Sequence, residues 1–324
     1  MRPLIPLFAL LLGCSGSMNP PGTVAVDAAK SSLEADKTSA VANNQDSVRI
    51  TATVRDADGK GLGGVKVTFS VTGGADQSSN TSNDGLANAN FSSEKAEEKT
   101  VTVKAELNGV TTELGSKTLT FVAGPAEGIR FKVQPTTTKA GVAISPAVVL
   151  EVTDGRGNVV TNDNAFMASV RLVRSNGGSV QNGAATVAVN GLITFPNLVI
   201  NRVQTGYALR AETTSGAADE SVMFDVVTGD LSAATSTLEA SPTNVVTGGS
   251  ATLTLTAKDL GGNVLGGVPV TFSASGDGTF GAATTTTAAD GTATTTFTSG
   301  TVGPQTVTAT IGSAALTVTV TFIP

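Results

Sequence analysis

Two pairs of neighbouring carboxylates, Asp56 with Asp58 and Glu97 with Glu98, come nearest to a hydrolytic site, because a glycosidase sets two acids across the bond it cleaves. Side chains so close together on a strand or turn point different ways, so these acids read as solvated charges. The oxygen-rich run Thr161-Asn162-Asp163-Asn164-Ala165 has the chemistry to hold a hard cation such as calcium. No adjacent acid completes a cage, and an Asn/Asp turn is the simpler reading. Gly59, Gly61 and Gly64 spell a dinucleotide fingerprint by letter, but that motif needs a strand that passes into a helix, whereas here a second strand pattern follows. A Ser–Lys dyad would need a strand-to-helix elbow to expose its nucleophile, and none is visible. The chain has no His and one Cys, which removes the commonest general base, any Cys-based zinc site and any internal disulfide. Its 20 Lys and Arg are scattered among 26 Asp and Glu, which leaves no footprint for a phosphate backbone. The expectation is a noncatalytic chain with no cofactor, no metal and no nucleic-acid partner.

The elements that carry these residues are strands. At 324 residues there is room for two or three domains, and a composition 40% hydrophobic but 4% aromatic, with 37 Gly, suits sheets joined by turns. Val48, Ile50, Ala52 and Val54 alternate with Arg49, Thr51, Thr53 and Arg55, the period of a half-buried strand. Asp56-Ala57-Asp58-Gly59 supplies a turn, and Val65, Val67 and Phe69 resume the pattern. The text LGGVKVTFS at Leu62–Ser70 returns as LGGVPVTFS at Leu265–Ser273. Leu253, Leu255 and Ala257 precede the second copy, and Val268, Val270 and Phe272 point inward within it. In each copy a Phe, Phe91 or Phe297, lies six residues past the Gly of Asp84-Gly85 or Asp290-Gly291, and Val101 or Val307 follows ten residues later. Two copies of one antiparallel sandwich account for this. Pro269 cannot donate to a ladder, so its strand is expected at an edge, or its missing N–H toward solvent.

Between the copies lies a third unit of similar size. Val148, Leu150 and Val152 alternate before the turn Asp154–Asn158; Asn182-Gly183 and Asn190-Gly191 signal type I′ hairpins; Tyr207, Leu209 and Ala211 form a late inward stripe. The only helix-like stretch, Ser93–Lys99, reads as a loop or single turn. The expected organisation is all-β: three tandem immunoglobulin-like sandwiches without disulfides at 28–124, 125–228 and 229–324, joined at short boundaries around Gly124-Pro125 and Thr228-Gly229-Asp230.

The N-terminus carries the one cysteine. Arg2, an apolar run from Leu4 to Leu12 and Gly13 form an export leader too short to span a bilayer, and Leu11-Leu12-Gly13-Cys14 resembles the lipobox of bacterial lipoproteins. The resemblance implies removal of residues 1–13 and lipidation of Cys14, followed by a flexible tether over 14–27. Several acyl chains would hold a membrane far better than one. Ser15 after the cysteine resembles lipoproteins sorted to the outer membrane of Gram-negative cells.

The outer units resemble the bacterial immunoglobulin-like domains of the invasin and intimin group, on DADGKGLGGVKVTF at Asp56–Phe69 with NDGLANANF at Asn83–Phe91, and DLGGNVLGGVPVTF at Asp259–Phe272 with ADGTATTTF at Ala289–Phe297. The middle unit looks like the Ig-like repeats of other large bacterial surface proteins. The resemblance implies a disulfide-free sandwich used as a rod segment or adhesive module. It is expected to cover the rod and not a receptor-binding tip, with a lipid in place of the family's membrane β-barrel. The expected role is a lipid-anchored, surface-exposed stalk or adhesion protein of the outer membrane, with a host-cell or envelope protein or glycan as partner. The alternatives are a dedicated glycan- or protein-binding module, or a periplasm-facing accessory of an outer-membrane or secretion assembly. Glycan binding would be favoured by exposed aromatics, and Tyr207 is the only Tyr beside no Trp.

Overall fold

Alternation and turn chemistry set the architecture of the computed structural model, which describes residues 24–324. The leader, Cys14 and all of the tether before Val24 lie outside the described residues. Among those described there is no α-helix. Two compact units divide between Val122 and Ala123.

The first unit is one sandwich of eight strands: β1 Ser32–Ala35, β2 Ser39–Val41, β3 Val48–Thr53, β4 Lys66–Val71, β5 Gln77–Asn80, β6 Leu86–Phe91, β7 Glu98–Leu107 and β8 Val110–Val122. One layer runs β1-β3-β6, the other β2-β8-β7-β4-β5. Val48, Ile50, Ala52 and Val54 from one layer meet Val67, Phe69, Val101, Val103 and Phe121 from the other, all buried. Inward branched and aromatic side chains on both faces supply the apolar burial that stabilises each layer pair.

The second unit holds two cores. The middle sandwich comprises β9 Gly128–Val133, β10 Thr138–Lys139, β11 Val148–Thr153, β12 Met167–Val173, β13 Val180–Gln181, β14 Thr186–Val187, β15 Leu192–Phe195, β16 Val199–Ile200, β17 Gln204–Thr213, β18 Ala218–Glu220 and β19 Phe224–Val227. Its layers are β15-β11-β9 and β10-β19-β17-β12-β14, with β18 on β17 and a separate β13-β16 pair. Leu150, Ile193, Phe195, Tyr207 and Leu209 fill its core. The last sandwich comprises β20 Thr237–Ser241, β21 Asn244–Val246, β22 Ser250–Thr256, β23 Pro269–Ala274, β24 Thr279–Phe280, β25 Thr284–Thr286, β26 Thr292–Thr298, β27 Gly303–Ile311 and β28 Ala314–Ile323. Its layers, β20-β22-β26-β24 and β21-β28-β27-β23-β25, repeat the strand order of the first sandwich with β24 added. Phe297 sits 5.7 Å from Phe322 and 4.9 Å from Phe280 between ring centroids, in a core that adds Phe272, Ile311 and several Leu, Val and Ala.

Two expectations need correction, and for Pro269 the structure takes the second of the two expected placements. The sandwiches are not purely antiparallel: β2 with β8, β10 with β19 and β21 with β28 are parallel. In each outer copy the first strand breaks after four or five residues, and its continuation crosses to the other layer beside the last strand. Pro269 is not on an edge strand, since β23 lies between β27 and β25; it opens β23 two residues before the ladder with β27 begins at Thr271 and is exposed, so no bond is lost. Asn190-Gly191 does make the hairpin turn, both residues at positive φ and Val189 bonded both ways to Leu192. Asn182-Gly183 does not: β13 pairs with β16, and only Asn182 has positive φ. Gly183 is required there because its backbone lies against β12, where a Cβ would come within 2.2 Å of the Val170 carbonyl oxygen.

Candidate functional site

Where the middle sandwich meets the last, the residues that join them decide what the pair can do, and they centre on an aspartate in a five-residue turn. Each sandwich has one such turn: Asp56–Lys60, Asp154–Asn158 and Asp259–Asn263. The first-residue amide donates to the fifth-residue carbonyl at 2.9–3.0 Å in all three, and the fourth residue, Gly59, Gly157 or Gly262, takes a φ of 81–85° that favours glycine. The carboxylate then accepts main-chain amides of the turn, as Asp side chains commonly do. Asp56 takes those of Asp58 at 3.1 Å and Lys60 at 2.9 Å.

The second and third turns go further. Their fifth residue is Asn, not Lys, and the Asn158 and Asn263 amide groups donate to Asp154 and Asp259 at 3.0 Å. The oxygen not taken by the turn's main-chain amides, Oδ2, accepts the amide of a glycine thirty residues earlier: Gly124 to Asp154 and Gly229 to Asp259, both at 2.9 Å. Asp154 and Asp259 are buried, Asp259 completely. A buried carboxylate persists when every lone pair is used, and these two are fully engaged. For Asp154 burial pushes the pKa up, but the Asn158 side chain and the Gly124, Asn158 and Arg156 amides outweigh it and hold it below 3.8.

The Asp259 turn also grips the middle sandwich. Asn263 donates to the Asn201 carbonyl at 2.6 Å and accepts the Val203 amide at 3.4 Å. Gly141 and Gly261 meet backbone to backbone: a Cβ on Gly141 would lie 2.6 Å from the Gly261 nitrogen, and one on Gly261 would lie 2.5 Å from the Asn201 oxygen. At the surface Lys139 pairs with Asp230 at 2.7 Å. The middle and last sandwiches therefore share an interlocked joint.

The residues singled out for chemistry do not converge. Asp56 is spent on its turn, while Glu97 binds Ser93 and Lys99 in a loop, and the Lys99 bond, then that from Ser93, lowers its pKa. Ser93–Glu97 is that loop, Glu98 and Lys99 open β7, and none of the stretch is helical. Asp163 accepts the Ala165 and Phe166 amides at 3.0 and 2.7 Å, a turn cap in which its Oδ1 is already bonded. Gly59–Gly64 leads into β4. Tyr207 is buried, its ring 6.2 Å from Phe224 and its hydroxyl donating to the Arg202 carbonyl at 3.1 Å, so it offers no platform for a sugar. No local pattern marks Asp154 and Asp259 as sites, because the deciding bond, to Gly124 or Gly229, spans thirty residues. The signal present was the Asn shared by DGRGN and DLGGN where the first turn has Lys.

The family model for the bacterial Ig-like domain (group 1) matches residues 30–122 and 235–323. The chain belongs to that family. Its sequence is 28% identical over 259 residues to the inverse autotransporter adhesin YeeJ of Escherichia coli K12, a match that covers 74% of this chain and 10% of the adhesin. The solved structure of the Escherichia coli adhesin FdeC is similar with a TM-score of 0.50 and 22% identity, over 93% of this chain and 99% of that one. Invasin, a bacterial integrin-binding protein, aligns over 91% of this chain and 60% of its own at 18% identity and a TM-score of 0.36. The resemblance to the invasin and intimin group and the disulfide-free Ig-like fold are thus borne out. YeeJ and FdeC are both adhesins. The chain spans a tenth of the length of YeeJ.

Proposed function

We propose that the chain is a spacer and display segment of a bacterial cell envelope, tethered to the outer membrane through lipid on Cys14 and facing outward, with its sandwich loops meeting a host-cell or envelope partner. The observation that carries this reading is the buried Asp259 joint: a fully bonded carboxylate turn fixes the last sandwich to the middle one and so transmits position across that joint, which a stalk must do. Membership of the family and the adhesin relatives support it. Lipid on Cys14 is supported by the leader and by the absence of any other cysteine.

Protease treatment of intact cells tests the orientation: loss of all three sandwiches is expected, and protection until lysis would place the chain in the periplasm. Replacing Cys14 by Ala is expected to move mature protein into the soluble fraction, and undiminished membrane retention of that variant would end the lipid reading.

A further inference from the structure

The first and last sandwiches match closely around their shared text. Thr81 and Thr287 occupy the same place, each donating its hydroxyl to a main-chain carbonyl, Leu62 at 2.5 Å or Leu265 at 2.6 Å, and accepting the amide of Val65 or Val268. They part between β4 and β5. The first sandwich bridges that gap with five residues, 72–76, and the last bridges its counterpart with nine, 275–283. The longer segment carries β24, which pairs antiparallel with β26 through Thr279↔Thr298 and Phe280↔Phe297. Gly281 continues the pairing by donating to the Thr296 carbonyl at 2.9 Å. Phe280 lies against Phe297 and Phe272.

In the first sandwich the counterpart of β26 is β6, and among the described residues β3 is its only ladder partner. Where β24 would lie there is instead an open cleft of about 790 Å³, lined by Val71, Gly74, Gln77, Asn90, Phe91 and Ser92 among others. The Asn90 carbonyl, equivalent to that of Thr296, accepts Gln77 Nε2 at 2.7 Å, and the Asn88 carbonyl accepts the Ser79 hydroxyl at 3.2 Å. Side chains stand in for a missing strand. Val71 stands where the last copy has the smaller Ala274, in the wall of the cleft, and Phe91 is buried.

We propose that the outer edge of β6 receives one short extended peptide from another molecule, running antiparallel to β6 as β24 runs along β26. The peptide would donate amides to the Asn90 and Asn88 carbonyls, displacing Gln77 and Ser79, and accept from the Asn90 amide on the same edge. Its chemistry follows from β24, which closes the same edge in the last copy: a short extended Gly/Thr/Ser/Ala segment, with a small side chain in place of Phe280 because Val71 is larger than Ala274. The charged side chains of the cleft, Asp76, Glu94, Lys95, Glu97 and Lys99, are of both signs and select no net charge. This capture is independent of lipid attachment and outward display, so failure of one leaves the others standing.

The probe is a hexapeptide with the text of residues 278–283 and Ala in place of the Phe, titrated into the isotopically labelled full chain by NMR. Saturable shifts confined to residues 71–77 and 88–92 are expected, with the Phe-containing hexapeptide binding about fivefold more weakly, the effect of a poorly fitting ring. Val71→Ala should reverse that preference, and Gln77→Ala should tighten binding several-fold. Grafting 275–282 in place of 72–76, with Gln77 left where Ala283 stands, closes the edge and should abolish the shifts; Asn90→Pro, which removes an outward amide without touching the β3 ladder, serves if the graft does not fold. No saturable shift at millimolar peptide, an unchanged preference in Val71→Ala, or binding that survives edge closure would overturn the proposal. Concentration-dependent broadening of the same amides without peptide would do so too, by assigning the edge to a second copy of this chain.

Discussion

Replacing Asp259 by Ala removes the acceptor for two main-chain amides, Gly229 at 2.9 Å and Asn263 at 2.8 Å, and for the Asn263 side chain, which keeps only the Asn201 carbonyl. An orphaned buried donor costs about 1–3 kcal/mol, and two such amides with partial access to water after the truncation amount to about 3 kcal/mol. For a cooperative unit of 150–250 residues this corresponds to a fall in midpoint of roughly 6–12 °C. The neighbouring Asp230→Ala supplies the contrast: its pair with Lys139 is exposed, so it should cost about 0–1 kcal/mol. Calorimetry of the two variants measures the magnitudes, and hydrogen exchange at the Gly229 amide reports the joint itself, protected in the parent chain and fast in Asp259→Ala. Equal midpoints for Asp259→Ala and the parent, or a larger loss in Asp230→Ala, would refute the assignment of the joint's stability to the buried carboxylate.

Gly261→Ala places a methyl 2.5 Å from the Asn201 oxygen and should force the joint apart; spin labels on the middle and last sandwiches would give a broadened distance distribution where the parent gives a narrow one. Asp154 has a folded pKa held below 3.8, so its contribution is fully present above that value and is lost as pH falls through the lower folded one; the midpoint difference between parent and Asp154→Asn should be constant from neutral pH to about 4 and shrink below it. Thr287→Val strands the Val268 amide and the Leu265 carbonyl and should cost about 2 kcal/mol by urea unfolding, with Thr81→Val costing a similar amount in the first sandwich.

The parts legible in the sequence are those governed by local period. Val48, Ile50, Ala52 and Val54, their counterparts Leu253, Leu255 and Ala257, and the stripe Tyr207, Leu209 and Ala211 are all buried, because on a sheet with one wet face alternation leaves a residue no other side to occupy. Asn190-Gly191 could be read because a type I′ turn needs positive φ at two adjacent positions, and these two residue types supply it. Asn182-Gly183 has the same letters and misled, because the glycine answers to a neighbouring strand at Val170, and no local pattern records that approach.

The joint and the open edge lie beyond local period for different reasons. Asp154, Asp259 and Asp56 sit in turns of one type, and a turn alone gives each carboxylate enough amides to satisfy it. What separates them is whether a glycine thirty residues upstream points its amide at the remaining oxygen, a tertiary fact marked in the text only by Asn158 and Asn263 standing where Lys60 stands in the first copy. The edge depends on something missing. Spacing from Gly85 to Phe91 and from Gly291 to Phe297 is identical, so the repeat looks uninterrupted, while the three-residue shortfall between Leu62 and Thr81 relative to Leu265 and Thr287 falls in a loop where length varies at little energetic cost. Deleting a loop residue usually removes only solvent-exposed chain. Here the shorter loop lacks a ladder strand, and the carbonyls it leaves along β6 are met by Gln77 and Ser79, bonds to flexible exposed side chains that an incoming backbone can replace one for one.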